Sequence, residues 1–114
     1  MPYLKIQTGL ALDTAAQKKI LARASNLVAR ELGKPESYVM VAFAPTHSML
    51  FAATDAPCAY LELKSIGLPK TKTGTISKSL CQLVSEEMHI PAERVYIEFA
   101  NAEGPMWGWD NGTF

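Results

Sequence analysis

The chain has 114 residues, 48% of them apolar and 19% charged, and its formal net charge is zero. This suits one packed domain, residues 1–114, and is too apolar for a disordered chain. Balanced charge argues against nucleic acid or an anionic membrane as the main partner, because both need a positive field.

Lys5, Gln7 and Asp13 interrupt the first apolar residues before a signal-peptide core can form. The apolar runs are too short to span a bilayer. Cys58 and Cys81 lack metal or redox spacing, so both are expected as ordinary buried thiols in a reduced, cytoplasmic setting.

Residues 3–8 alternate as a strand does. Asp13 is the candidate N-cap of a first helix. Ile20, Leu21, Ala24, Leu27, Val28 and Leu32 recur at helical spacing and form one apolar stripe. Gly33 offers the stop, and Pro35 prevents continuation. Residues 38–44 (YVMVAFA) read as a strand buried on both faces. A third strand is expected over 58–65. Ile76, Leu80, Leu83, Val84 and Met88 line a second helix that ends before Pro91, and 95–99 (VYIEF) form a fourth strand.

Internal similarity links these elements. Residues 2–7 (PYLKIQ) resemble 59–64 (AYLELK), and 35–44 (PESYVMVAFA) resemble 91–100 (PAERVYIEFA). Two matches at nearly one offset indicate a duplicated unit, about 2–45 and 58–100. Each unit reads β-α-β, and a helical crossover favours parallel pairing of its two strands. The expected fold is α/β (α+β): a four-stranded sheet with two helices on one face. The other face is then expected to expose Val39, Val41 and Phe43. Met49-Leu50-Phe51 and Met106-Trp107 would be exposed edge strands. Association through this face and these edges, in a symmetric ring, would cover them.

His47 and His89 are isolated and read as surface or loop residues without metal-ligand spacing. Lys70–Lys78 (KTKTGTISK) lacks the spacing of a phosphate loop and reads as a solvated loop and helix start. Pro2 differs in kind. Removal of Met1 would expose a secondary amine at the head of a strand. A chain-terminal amine titrates near ~7.7–8.0. An apolar pocket or a nearby cation lowers that value and makes the neutral amine available as a general base. Lys34, just after the helix stop, reads as a helix C-terminal cation or an anion clamp. The tail, with Trp107, Trp109 and Phe114, suits an interface strand or an aromatic pocket wall.

Several pieces run through the whole chain: Met1-Pro2, Gly33-Lys34-Pro35, Pro57-Cys58-Ala59, Ser65-Ile66-Gly67, Ser77-Lys78 with Leu80-Cys81, Arg94-Val95-Tyr96-Ile97, and Gly108-Trp109 with Asn111 and Thr113-Phe114. Together they resemble the macrophage migration inhibitory factor family of the tautomerase superfamily, which includes D-dopachrome tautomerase. The resemblance implies a homotrimer with active sites between subunits. It implies Pro2 as catalytic base and Lys34 and the backbone N–H of Ile66 as ligands for substrate oxygens. Tyr96 would come from a neighbouring subunit. Tyr3, Ser65, Glu98, Trp107, Trp109 and Phe114 complete the implied substrate-binding set. The implied substrates are phenylpyruvate or dopachrome-like compounds, with no metal or organic cofactor.

The resemblance also implies alternatives: a cytokine-like protein, exported without a signal peptide, that binds a cell-surface receptor of the CD74 type, or decarboxylation or hydration by the same amine. Two departures stand out. Cys58-Ala59-Tyr60-Leu61 lacks the second cysteine of the family's frequent Cys-x-x-Cys, so thiol oxidoreductase activity is expected to be absent or weak. Glu98 stands where better-known members carry Asn, so weaker binding of acidic substrates or a raised Pro2 pKa is expected.

Overall fold

The computed structural model describes residues 1–46 and 48–114; His47 lies outside them. The first strand, β1, covers Tyr3–Thr8, as expected. Helix α1 covers Thr14–Leu32. Its start is fixed by Asp13, whose carboxylate accepts from the Ala16 N–H at 2.7 Å. Its end is fixed by Gly33 at φ 61°, a left-handed conformation that costs glycine little. Strand β2 follows at Met40–Ala44 and β3 at Ala59–Ile66. Helix α2 covers Thr73–Met88, and β4 covers Val95–Ala102. A short hairpin, β5 (Gly108–Trp109) with β6 (Gly112–Thr113), closes the tail.

The fold is α+β, two helices on a mixed four-stranded sheet ordered β2-β1-β3-β4. β1–β2 and β3–β4 pair in parallel, and the two inner strands pair antiparallel. The halves share details beyond element order. Each parallel connection ends its helix on a left-handed residue, Gly33 or His89. Each then passes through a proline into a 3₁₀ turn, Glu36–Tyr38 or Ala92–Arg94. No helix among the described residues is long and apolar enough to cross a membrane.

The core lies between sheet and helices. Leu4 and Ile6 from β1 and Leu61 and Leu63 from β3 meet Ile20, Ala24, Leu27 and Val28 from α1 and Ile76, Leu80, Leu83 and Val84 from α2. Burial of each large aliphatic side chain contributes about 1.5–3 kcal/mol. From the middle of α1, Arg23 reaches Glu86 and Glu87 near the end of α2 and ties the two helices together.

Several expectations need correction. Val39, Val41 and Phe43 do not sit on the open face. The pairings Leu4↔Val41 and Ile6↔Phe43 turn them toward the helices, where they pack on the core. The open face instead carries Tyr3, Lys5 and Gln7 on β1, Tyr60, Glu62 and Lys64 on β3, and Tyr96 and Glu98 on β4. Strand β2 is an edge strand rather than one buried on both faces, and Met40 is 65% exposed. Its first expected residue, Tyr38, belongs to the preceding 3₁₀ turn. Met106-Trp107 is no strand, since Met106 ends another 3₁₀ turn, and near Met49-Leu50-Phe51 the only pairing among the described residues is a single Phe51↔Thr54 bridge. Of the two thiols, Cys58 is buried but Cys81 is only half-buried.

Candidate active site

The head of β1 brings the first candidate residues together. Pro2 is fully buried. Its carbonyl accepts from the Met40 N–H at 3.0 Å, which locks it to the start of β2. Met1 precedes it, so the Pro2 nitrogen is a peptide nitrogen in this chain. The Met1 amine donates to the Tyr38 carbonyl at 2.7 Å. Burial, and secondarily the charge of Lys34, push that amine below its ordinary value. Lys34 comes into range because the left-handed turn at Gly33 redirects the chain at the end of α1, with the Lys34 N–H bonded to the Ala29 carbonyl at 3.0 Å.

An aromatic cluster stands beside the same corner. The Trp109 and Phe114 rings stack at 5.3 Å, and the Tyr38 ring meets both edge-on, at 5.7 and 6.0 Å. Tyr38 thus touches the chain start through its carbonyl and the tail through its ring. Sequence patterning absorbed Tyr38 into a strand and missed it. The aligned repeats contained the signal, because Pro35 and Pro91 both precede a three-residue turn. The tail folds back because Asp110 and Asn111, at φ 49° and 65°, form a two-residue hairpin turn ahead of Gly112. The Asp-Asn pair, two residue types that tolerate the left-handed region, was the legible signal for it. Trp107 is half-buried, and its carbonyl accepts from the Phe114 N–H at 3.1 Å.

Tyr3 lies on the open face, between Met40 and Lys64. Ile66 ends β3, two steps beyond Lys64, where the antiparallel register runs toward the chain start. Ser65 differs from its expected role. It is fully buried on the helix side of the sheet, and its hydroxyl donates to the Ile66 carbonyl at 3.3 Å. Its side chain offers nothing for a substrate to touch.

Tyr96 and Glu98 are not brought to Pro2 within one chain. Tyr96 pairs with Tyr60, and Tyr60 also pairs with Gln7 at the far end of β1. Tyr96 is 65% exposed and rests on Phe51, with ring centroids 4.7 Å apart. Arg94 fixes this corner by stacking over Phe51 at 5.2 Å and donating to the Pro57, Ala56 and Thr54 carbonyls. Glu98 accepts from the Tyr60 hydroxyl. Among the described residues, burial and Lys34 are what act on the amine at the chain start, and Glu98 is held by Tyr60 instead.

The whole chain, residues 1–114, matches the sequence profile described as Macrophage migration inhibitory factor (MIF). A macrophage migration inhibitory factor homolog of Brugia malayi is 39% identical over 116 residues, covering 100% of this chain and 99% of the relative. Macrophage migration inhibitory factor of Xenopus tropicalis is 34% identical, with the same coverage. Among solved structures, the macrophage migration inhibitory factor homologue from Prochlorococcus marinus superposes with a TM-score of 0.91 at 34% identity, covering 98% of each chain. The Toxoplasma gondii protein gives 0.93 at 32% identity, covering 98% of this chain and 99% of its own. A relative of this identity over the full length, a matching profile from first residue to last and a common fold lead to one conclusion: the chain belongs to the macrophage migration inhibitory factor family.

Proposed function

We propose that this protein is a cofactor-independent keto–enol tautomerase in which Pro2, once Met1 is removed, is the general base. Membership of the family supports tautomerase-type isomerase activity in general terms. One observation carries the specific reading. The chain-terminal amine sits in a partly buried corner where burial and neighbouring Lys34 both lower its proton affinity. With Met1 gone, the Pro2 amine lies one residue deeper, on a fully buried ring whose residue is anchored by the Met40 N–H at its carbonyl. Burial and a nearby cation favour the neutral form of such an amine, and the neutral form can take a proton from carbon.

The proposed substrate is a small aromatic α-keto acid such as phenylpyruvate, or a dopachrome-like compound. Its carbonyl acidifies the adjacent C–H. Pro2 takes that proton, Lys34 and the Ile66 N–H stabilise the charge that develops on oxygen, and the Pro2 ammonium gives the proton to the enolate oxygen, which yields the enol and restores the neutral amine. In the reverse direction the Pro2 ammonium returns the proton to carbon. Tyr3, Trp107, Trp109 and Phe114, with Tyr38 added, form the apolar wall that keeps water from the amine. A homotrimer completes the proposal. Pro2 and Tyr96 occupy opposite ends of one sheet, so a ring of copies lets the Tyr96 end of one subunit complete the Pro2 end of the next.

Turnover of phenylpyruvate enol by Pro2→Ala and Pro2→Gly tests the proposal, alongside intact-protein mass. The expected results are a processed amino terminus and a loss of roughly 10²–10⁴-fold, the usual contribution of a general base. Full turnover in either variant, or in protein that keeps Met1, refutes it.

A further inference from the structure

The open sheet face contains an arrangement that the proton transfer does not use. Lys5, Glu62 and Glu98 lie in one row across β1, β3 and β4, with Lys5 opposite Glu62 and Glu62 opposite Glu98. Two carboxylates directly opposite each other repel. The protein treats them differently. Glu62 has two cations, the Lys5 ammonium at 3.2 Å and that of Lys64 at 3.9 Å. Glu98 has no ion-pair partner among the described residues. Its neighbour is a phenol: Tyr60, two residues along β3 from the row, reaches diagonally and donates to the Glu98 carboxylate, with Glu62 its second acceptor at 3.2 Å. A hydroxyl has one proton to give. Its bond to Glu98 therefore fixes that side chain while leaving its negative charge uncompensated. The phenol proton is held more tightly than usual, chiefly through Glu98.

The position of this charge gives it a use. Glu98 follows Tyr96 by two residues on one strand, so both project from the same face. Tyr60 and Tyr96 line one cleft, with Phe51, Met49 and Leu50. Any contact that carries Tyr96 to a neighbouring Pro2 carries Tyr60 and Glu98 with it.

We infer that Tyr60 is a positioning residue that holds the Glu98 carboxylate at the distal end of the composite site, and that this pair selects keto acids whose far end is neutral or cationic over those with a second negative charge. The inference rests on the proposed delivery of Tyr96 to a neighbour's Pro2. It divides the substrate in two. The carboxylate and carbonyl end meets Lys34, and the far end meets an anion. A second carboxylate on the substrate would face Glu98 with no cation between them.

The test compares kcat/KM for phenylpyruvate and 4-carboxyphenylpyruvate in the wild-type protein, Glu98→Gln, Tyr60→Phe and the double variant. Both substitutions keep side-chain shape and lie on an exposed face. Glu98→Gln is expected to improve the carboxylated substrate about fivefold relative to phenylpyruvate, the effect of one like-charge contact at ~4 Å in water. The gain should appear in KM, with kcat little changed. Tyr60→Phe should give part of that gain, because an untethered Glu98 carboxylate is no longer held at one place against the far end of the substrate. In the Glu98→Gln background, Tyr60→Phe should add nothing. A merely structural role for Tyr60 would lower both substrates equally and would persist in the double variant, and either result overturns the inference. An unchanged ratio in Glu98→Gln overturns it as well, and if Pro2→Gly is inactive at the same time, the proton-transfer proposal stands without it. Full turnover in Pro2→Gly removes the proton-transfer proposal and the inference with it.

Discussion

Gly33 and Gly74 form a matched pair for testing how the turn before Lys34 is made. Gly33 caps α1 at φ 61°, whereas Gly74 lies in the first turn of α2. A Cβ built at either glycine meets nothing within 4 Å. Neither alanine variant creates a clash, so packing drops out of the comparison. Both variants also stiffen the unfolded chain alike, which favours folding by about 0.4–1 kcal/mol. Only Gly33→Ala must place a Cβ in the left-handed region, at about 1–2 kcal/mol. Gly74→Ala should therefore raise stability by up to about 1 kcal/mol, and Gly33→Ala should lower it by about 1. The gap between them, about 1–2 kcal/mol, isolates the left-handed penalty. Urea unfolding at one fixed protein concentration measures it, with the slope unchanged and the midpoints moving in opposite directions. Equal shifts in the two variants would refute the assignment of Gly33 as an obligatory left-handed cap. Gly33→Asn, which tolerates this region better, should fall between wild type and Gly33→Ala.

Three further outcomes are expected. Lys34 lowers the proton affinity of the chain-terminal amine, so Lys34→Gln should move the acid limb of the kcat/KM–pH profile to higher pH and raise KM for keto acids; an unmoved limb would remove Lys34 from the amine's surroundings. Arg23 holds the Glu86 carboxyl below the usual glutamate range, mainly by direct hydrogen bonding. That group binds its proton more weakly folded than unfolded, so its contribution is complete above the ordinary glutamate value and is lost as pH falls through the lowered one. The stability difference between wild type and Arg23→Ala should therefore be present at neutral pH and shrink in acid, as thermal melts across pH would show. A Cβ at Gly104 would lie 2.7 Å from the Phe114 carbonyl oxygen, so Gly104→Ala should displace the tail, shift tryptophan emission and loosen the Trp109–Phe114 stack.

Much of the fold was legible in the chain because it is local. Asp13, the α1 stripe and Gly33 act within a few residues of one another, and β1 and the cap of α1 fall where patterning put them. The open face was misjudged for a physical reason. The run Tyr38–Ala44 has apolar residues at successive positions and no polar alternation to mark a face. Its facing depends on register with β1, and a slip of one residue exchanges every side chain between core and solvent. Ser65 entered only through the family resemblance, and the pairing of β3 shows which side of the sheet it faces.

The limits of α1, the apolar stripes of both helices and the order of the four sheet strands along the chain were written in neighbouring residues, because caps and periodicity are short-range properties. Contacts between distant segments decided the rest. Folding set Tyr38 against Trp109 and Phe114, and it turned β2 toward the helices. It also put Lys5, Glu62 and Tyr60 around Glu98, and set Tyr96 at the opposite end of the sheet from Pro2. Strand register and chain closure are cooperative outcomes of packing, and no short window of residues encodes them.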